Sequence, residues 1–139
     1  MVTSSQIFHL LGQKPPAKPD QVDDLVRKGF PATVVKTVAQ LFDVPNRDIE
    51  MLVGVPATTL ARHVSKSAPL KARDSDRIYR ITKTYALGES VLGDRNRTRL
   101  WFMQPNRSLN GKCPFELLDT ESGTDRVVTV LMKIEHGIY

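Results

Sequence analysis

The residues that could support phosphate chemistry or nucleophilic catalysis do not complete either pattern. Lys112 follows Gly111, as in a phosphate-binding loop, but Asn106 stands where that loop needs its first glycine. Cys113 then occupies the position of the metal-binding Ser or Thr. Because this single cysteine has no histidine near it in sequence, a structural thiol is favoured over a nucleophile.

The remaining titratable residues also lack an active-site pattern. The three histidines, His9, His63 and His136, are far apart and have no H-x-x-x-H spacing that would place two ligands on one helix face. Asp119 and Glu121 flank a predicted helix start, where carboxylates complement the helix dipole. We therefore expect no catalytic residue, no metal ion, no cofactor and no enzymatic activity.

The composition is that of an ordinary globular protein. The chain has 139 residues, of which 40% are hydrophobic and 25% charged, so it forms one domain or two small ones. No apolar run approaches the roughly 20 residues that span a bilayer, and the first residues do not form a signal peptide. These observations predict a cytoplasmic protein without a membrane partner.

The positive charge is concentrated in the middle of the chain. The chain has 20 basic and 15 acidic residues, a net charge of +5, and residues 45–100 contain 11 of the basic and 6 of the acidic ones. A basic segment between two nearly neutral ends is typical of a nucleic-acid-binding module joined to another part. A solvated basic surface without a nucleic-acid partner fits the same charge distribution, so charge alone does not distinguish the two interpretations.

The spacing of apolar residues predicts an all-α fold. Residues 1–19 contain three prolines in five positions and are predicted to be a flexible tail with one hydrophobic anchor. Residues 20–69 and 70–139 are predicted to be two helical parts. Predicted helices begin near Asp20, Pro31, Pro45, Ala57, Asp74 and Pro114, and a last one is capped by Ser122 and Asp125.

Residues 48–66 match a helix-turn-helix motif. Gly54 supplies the tight turn, and the second helix is predicted to contact the core through Leu60 and Val64. The angle between the two helices is predicted to be filled by Ile49, Val53, Val55 and Leu60. Glu50 stands where such motifs often have a small residue, so a plain helical hairpin remains the alternative.

The second helix of this motif has the side chains that DNA recognition needs. Short hydroxyl groups near its start suit phosphate contacts, and an arginine one turn later suits a guanine edge or a phosphate. The predicted DNA-binding residues are Thr58, Thr59, Arg62, His63 and Lys66.

The other arginines have simpler interpretations. Residues 95–99 contain three arginines at alternate positions in a predicted loop, which is either a phosphate-contacting loop or a solvated rim. Arg77 and Arg80 lie one turn apart and are expected to pair with Asp74 and Asp76.

Four ordered stretches in the second half resemble a known family. They are residues 70–81, residues 101–106 (Trp-Phe-Met-Gln-Pro-Asn), residues 109–123 and residues 127–137. In this order they closely resemble the antitoxins of RES–Xre toxin–antitoxin pairs, of the Xre/MbcA/ParS type, over about residues 25–139. Asn110 and Cys113 depart from the usual second glycine and threonine of the third stretch.

The resemblance implies a two-part protein. The helix-turn-helix would bind an operator before its own operon, and residues 70–139 would be a toxin-binding domain. That domain would hold a RES-domain toxin, which consumes NAD or uses it for ADP-ribosylation, and would occlude its active site. The residues expected to contact the toxin are Lys133, Glu135, His136, Ile138 and Tyr139. A homodimer would suit a two-fold operator.

An alternative to the antitoxin is a stand-alone dimeric helix-turn-helix transcriptional regulator, in which the C-terminal half serves only for dimerisation. The two hypotheses differ in whether residues 70–139 bind a separate protein.

Overall fold

The computed structural model describes residues 2–137, and the predicted toxin contacts Ile138 and Tyr139 lie outside the described residues. Within residues 2–137 the chain is helical and contains no β-strand, which confirms the predicted all-α class. None of the helices described there is both long enough and apolar enough to span a bilayer.

The described residues form eight α-helices. They are α1 (Ser4–Leu10), α2 (Val22–Lys28), α3 (Val34–Phe42), α4 (Asn46–Val53), α5 (Ala57–Ser65), α6 (Ala72–Leu92), α7 (Arg95–Met103) and α8 (Glu121–Glu135). Short 3-10 segments cover Pro19–Gln21, Arg107–Leu109 and Pro114–Asp119. The chain divides into two compact units, Thr3–Thr82 and the part from Lys83 onward. The division falls inside α6, whereas the sequence analysis places it before residue 70.

The N-terminal segment, which the prolines predict to be a flexible tail with one hydrophobic anchor, contains the helix α1. The Thr3 hydroxyl accepts a hydrogen bond from the Gln6 amide at 3.2 Å, and the Gln6 side chain accepts one from the Thr3 amide at 2.8 Å. This reciprocal capping box satisfies two amides that a helix start otherwise leaves unpaired. The apolar anchor is buried, and the Phe8 ring packs edge-on against Phe30 with 5.7 Å between centroids.

The first turn of α6 and the residues just before it are hydrogen-bonded to the segment that precedes α3. The Phe30 amide donates to the Ser75 hydroxyl at 2.9 Å, and the Phe30 carbonyl accepts from the Leu70 amide at 2.8 Å. Gly29, next to this pair, has φ +98°, and a Cβ there would collide with the Leu70 carbonyl oxygen. These contacts give residues 70–82 their place in the first unit.

In the second unit, α7 includes residues 95–99, for which the sequence predicts a loop. The Asp94 carboxylate accepts a hydrogen bond from the Arg97 amide at 2.8 Å, so Asp94 is the N-cap and residues 95–99 are helical. The prediction of a loop there is wrong, because the cap favours a helix despite the polar composition. On the inner side of α7, Phe102 is buried and stacks on Tyr85, with 6.4 Å between ring centroids.

The last helix, α8, is capped two residues before the predicted pair. The Thr120 hydroxyl accepts a hydrogen bond from the Gly123 amide at 2.9 Å, so neither Ser122 nor Asp125 is the N-cap. Gly123 lies against the Leu117 carbonyl oxygen, and this leaves no room for a Cβ. The apolar spacing of α8 predicts four core positions, of which Val127, Val130 and Leu131 are buried and Ile134 is half-buried.

Candidate functional site

The helix-turn-helix is formed by α4, residues 54–56 and α5. Gly54 has φ +82° in the left-handed region, and its amide donates to the Glu50 carbonyl at 2.8 Å, which ends α4. The four residues predicted to fill the angle between the helices are buried: Ile49, Val53, Val55 and Leu60. The half-buried Glu50 is accommodated in α4 without preventing this packing.

Arg77 stabilises the turn from α6. Its Nη1 atom donates a 2.7 Å hydrogen bond to the Val53 carbonyl oxygen, at the end of α4 where helix carbonyls lack intrahelical partners. This differs from the expected pairing of Arg77 with the nearby acidic residues. The Asp74 carboxylate instead lies 3.7 Å from the Nε atom of Arg73. The contact spans 24 positions, and no local pattern in the sequence indicates it.

The outer face of α5 presents three of the five predicted DNA-binding residues to solvent. Thr58, Arg62 and Lys66 are exposed, whereas Thr59 and His63 are half-buried. Thr58 and Arg62 are one turn apart and lie on the side of α5 away from Leu60, its buried residue. A hydroxyl and a guanidinium therefore share the face that points away from the core.

His63 has an intramolecular contact that the sequence does not predict. Its Nδ1 atom lies 3.0 Å from the Pro69 carbonyl oxygen, and because a carbonyl only accepts, Nδ1 carries the proton. This bond joins the end of α5 to the chain before α6 and leaves Nε2 as the other polar atom of the ring. Val64 is 46% exposed, so its predicted core contact is wrong; α5 buries only Leu60 fully.

The predicted toxin-contacting residues within the described range lie at the end of α8. Lys133 and Glu135 are in its last turn, and His136 follows as the C-cap. All three are exposed. These three side chains are available to a partner, whereas the buried side of α8 packs within its own unit.

The shifted pKa values belong to structural groups rather than to these surfaces. Burial, together with the carboxylate of Glu89, raises the pKa of Tyr85 well above its ordinary value; the Tyr85 hydroxyl donates to Glu89 Oε2 at 2.7 Å. Burial also raises the pKa of Tyr79. Cys113 is half-buried, and its Sγ atom lies 3.3 Å from the Met103 carbonyl, consistent with a structural thiol. Within residues 2–137, no three His, Cys, Asp or Glu side chains are placed to hold a metal ion.

These features define a two-unit, all-α protein of the helix-turn-helix class. Two family models match the chain. Residues 21–83 match the Antitoxin Xre-like helix-turn-helix domain, and residues 87–137 match the Antitoxin Xre/MbcA/ParS C-terminal toxin-binding domain. The chain belongs to the Xre/MbcA/ParS antitoxin family.

Curated relatives are similar to most of the chain. A protein named Antitoxin Xre from Photorhabdus laumondii is 27% identical over 138 residues, which cover 99% of this chain and 93% of the relative. A protein of the same name from Yersinia enterocolitica is 25% identical over 117 residues, which cover 84% of this chain and 79% of the relative. A third, from Pseudomonas putida, is 30% identical over 83 residues, covering 60% of this chain and about half (52%) of the relative.

Proposed function

We propose that this protein is a non-enzymatic antitoxin that binds a RES-domain toxin through its C-terminal unit and represses its own operon through the helix-turn-helix. The observation that carries the proposal is the presence in one chain of both domain matches, at residues 21–83 and 87–137. The RES identity of the toxin, and its use of NAD, come from the sequence resemblance. Operator binding places the protein in the cytoplasm, where the DNA is.

The outer face of α5 supports the DNA-binding part of the proposal. Arg62 is exposed and is positioned to read a guanine or contact a phosphate, with Thr58 one turn earlier. Lys66 adds a charge at the end of the helix. Thr59 and His63 contribute from the half-buried flank, where His63 Nε2 is the ring atom left for DNA. A homodimer would place two such helices on a two-fold operator.

For the toxin-binding part, we propose that the end of α8 and the residues after it enter the active-site cleft of the toxin. Lys133, Glu135 and His136 are exposed there, and Ile138 and Tyr139 follow in the sequence with an apolar and an aromatic side chain. Aromatic side chains are frequent anchors in protein interfaces. Occupying the cleft would block substrate access without any chemical step by the antitoxin.

The test is co-expression with the product of the neighbouring reading frame, with growth, cellular NAD and co-purification as readouts. The proposal expects the neighbour alone to stop growth and deplete NAD, and this chain to restore both while co-purifying. A harmless neighbour that does not co-purify would instead favour the stand-alone regulator.

A truncation separates the two parts. Deleting Glu135–Tyr139 is expected to release toxicity while leaving operator binding intact. Simultaneous loss of both activities would mean that these residues only support the fold. Arg27→Ala, a substitution of an exposed residue on α2, is the matched control and should leave both activities unchanged.

A further inference from the structure

Charge is unevenly distributed along the second unit. Residues 95–112, which form α7 and the following loop, contain five basic and no acidic residues. Residues 113–137 contain two basic and five acidic ones. Three of the arginines that make residues 45–100 basic therefore belong to α7. They lie in the part of the chain that matches the toxin-binding domain.

One face of α7 is apolar at its centre and exposed. Leu100 is 60% exposed and Met103, one turn later, is 40% exposed. Thr98 and Phe102, on the opposite side of the helix, are both buried. Helical spacing places Arg97 on the same side as Leu100, three residues before it. The Arg97 side chain is 75% exposed, and its Nε atom lies 3.7 Å from the Asp94 carboxylate.

The loop after α7 adds further positive charge at the end of this face. The Cys113 thiol lies 3.3 Å from the Met103 carbonyl, which holds the returning chain at the end of α7. The Asn106 amide donates to the Lys112 carbonyl at 3.0 Å and closes the loop. Arg107 and Lys112 are both exposed. The loop is therefore closed by backbone hydrogen bonding and presents two cations, Arg107 and Lys112, to solvent.

We propose that the α7 surface, defined as Arg97, Leu100, Met103 and Arg107, docks an acidic surface of a partner protein. The inference rests on the proposed function, in which that partner is the toxin. It adds a second contact area to the end of α8. Apolar side chains surrounded by arginines are typical of protein interfaces, in which methionine and arginine are enriched and the rim is polar.

Two other occupants fit this surface less well. A nucleic acid would engage the arginines through its phosphates but would leave Leu100 and Met103 without an apolar counterpart. A two-fold dimer through this face would bring two copies of the same basic patch together, because such an interface is isologous. Charge complementarity therefore favours a different protein with an acidic surface.

The experiment measures binding of the full chain to the purified product of the neighbouring reading frame by titration calorimetry. The double variant Arg97→Glu/Leu100→Ser should bind about 30-fold more weakly or worse, as expected for interface anchors. The matched control is Arg47→Glu/Met51→Ser on α4. It changes an exposed arginine and a 77% exposed methionine in the other unit and should bind as the unchanged protein does. Arg107→Glu, in the loop, tests the same surface without altering α7.

Each outcome has a distinct meaning. If the unchanged protein does not bind the neighbour, the proposed function fails; if it binds and both α7-surface variants bind equally well, only the docking surface fails. Loss of operator affinity with intact partner affinity would assign the surface to DNA instead. Dissociation of a self-associated wild-type chain by Arg107→Glu, measured by sedimentation, would assign the surface to a second copy. Either result would overturn the proposal.

Discussion

The guanidinium group of Arg77 donates a 2.7 Å hydrogen bond to the carbonyl oxygen of Val53, and this bond joins α6 to the turn of the helix-turn-helix. Val53 is buried and ends α4, so its carbonyl has limited access to other donors. Gly54 fits beside the same guanidinium, since a Cβ there would lie 3.2 Å from Arg77 Nη1. The position of the turn before α5 therefore depends on a residue far along the chain.

Replacing Arg77 with Met is expected to lower the free energy of unfolding by about 1–3 kcal/mol, because the Val53 carbonyl loses a charged donor. Urea denaturation followed by circular dichroism measures this. Lys83→Met, at an exposed position of the same helix, is the control and should change stability by less than about 0.5 kcal/mol. Equal effects of the two substitutions would contradict a specific role for the contact.

Gly29→Ala is expected to be far more destabilising than Gly12→Ala. Both glycines have positive φ, +98° and +69°, so each alanine incurs backbone strain of about 1–3 kcal/mol. Only at Gly29 would the added Cβ collide with a backbone atom, the Leu70 carbonyl oxygen, whereas at Gly12 nothing lies within 4 Å. Thermal melts of the two variants check this, and similar melting temperatures would show that residues 29 and 70 separate easily.

Tyr85 predicts a loss of stability at alkaline pH. Burial and Glu89 raise the pKa of Tyr85 in the folded state above the ordinary 10.0. The contribution of Tyr85 to the free energy of unfolding is therefore complete below pH 10 and is lost as the pH rises further. The expected slope from this one group is at most about 1.4 kcal/mol per pH unit. Tyr85→Phe should remove that slope. If the free energy of unfolding of the two proteins falls equally between about pH 9 and 11, Tyr85 is not the source of the alkaline loss of stability.

Arg62→Ala is expected to weaken specific operator binding by about 1–3 kcal/mol if Arg62 contacts a base edge. Binding to the DNA upstream of its own gene, measured at a fixed salt concentration beside a scrambled sequence, tests this. Arg27→Ala is the control, because Arg27 is exposed on α2 and pairs with Asp23 at 2.8 Å. An unchanged affinity for the operator would exclude Arg62 from base recognition.

Much of the local structure could be predicted from the sequence because it depends on neighbouring residues. The apolar stripe of Val127, Val130 and Leu131 predicts a buried helix face at any position in a fold. Gly54 similarly predicts the turn, since a left-handed residue ends α4 there. The ordered stretches of the second half also identify the family, which the two domain matches confirm.

The tertiary structure decided which partners the polar residues found. Arg77 has acidic neighbours within a helical turn, yet its hydrogen bond goes to Val53, and the Nδ1 atom of His63 bonds the Pro69 carbonyl. The apolar patch of α1 is buried because packing against residues such as Phe30 provides a surface that no local pattern shows. Leu100 is exposed for the converse reason. The sequence of α7 does not show which side of the helix faces the core. Because Thr98 and Phe102 are buried, Leu100 on the opposite side is exposed.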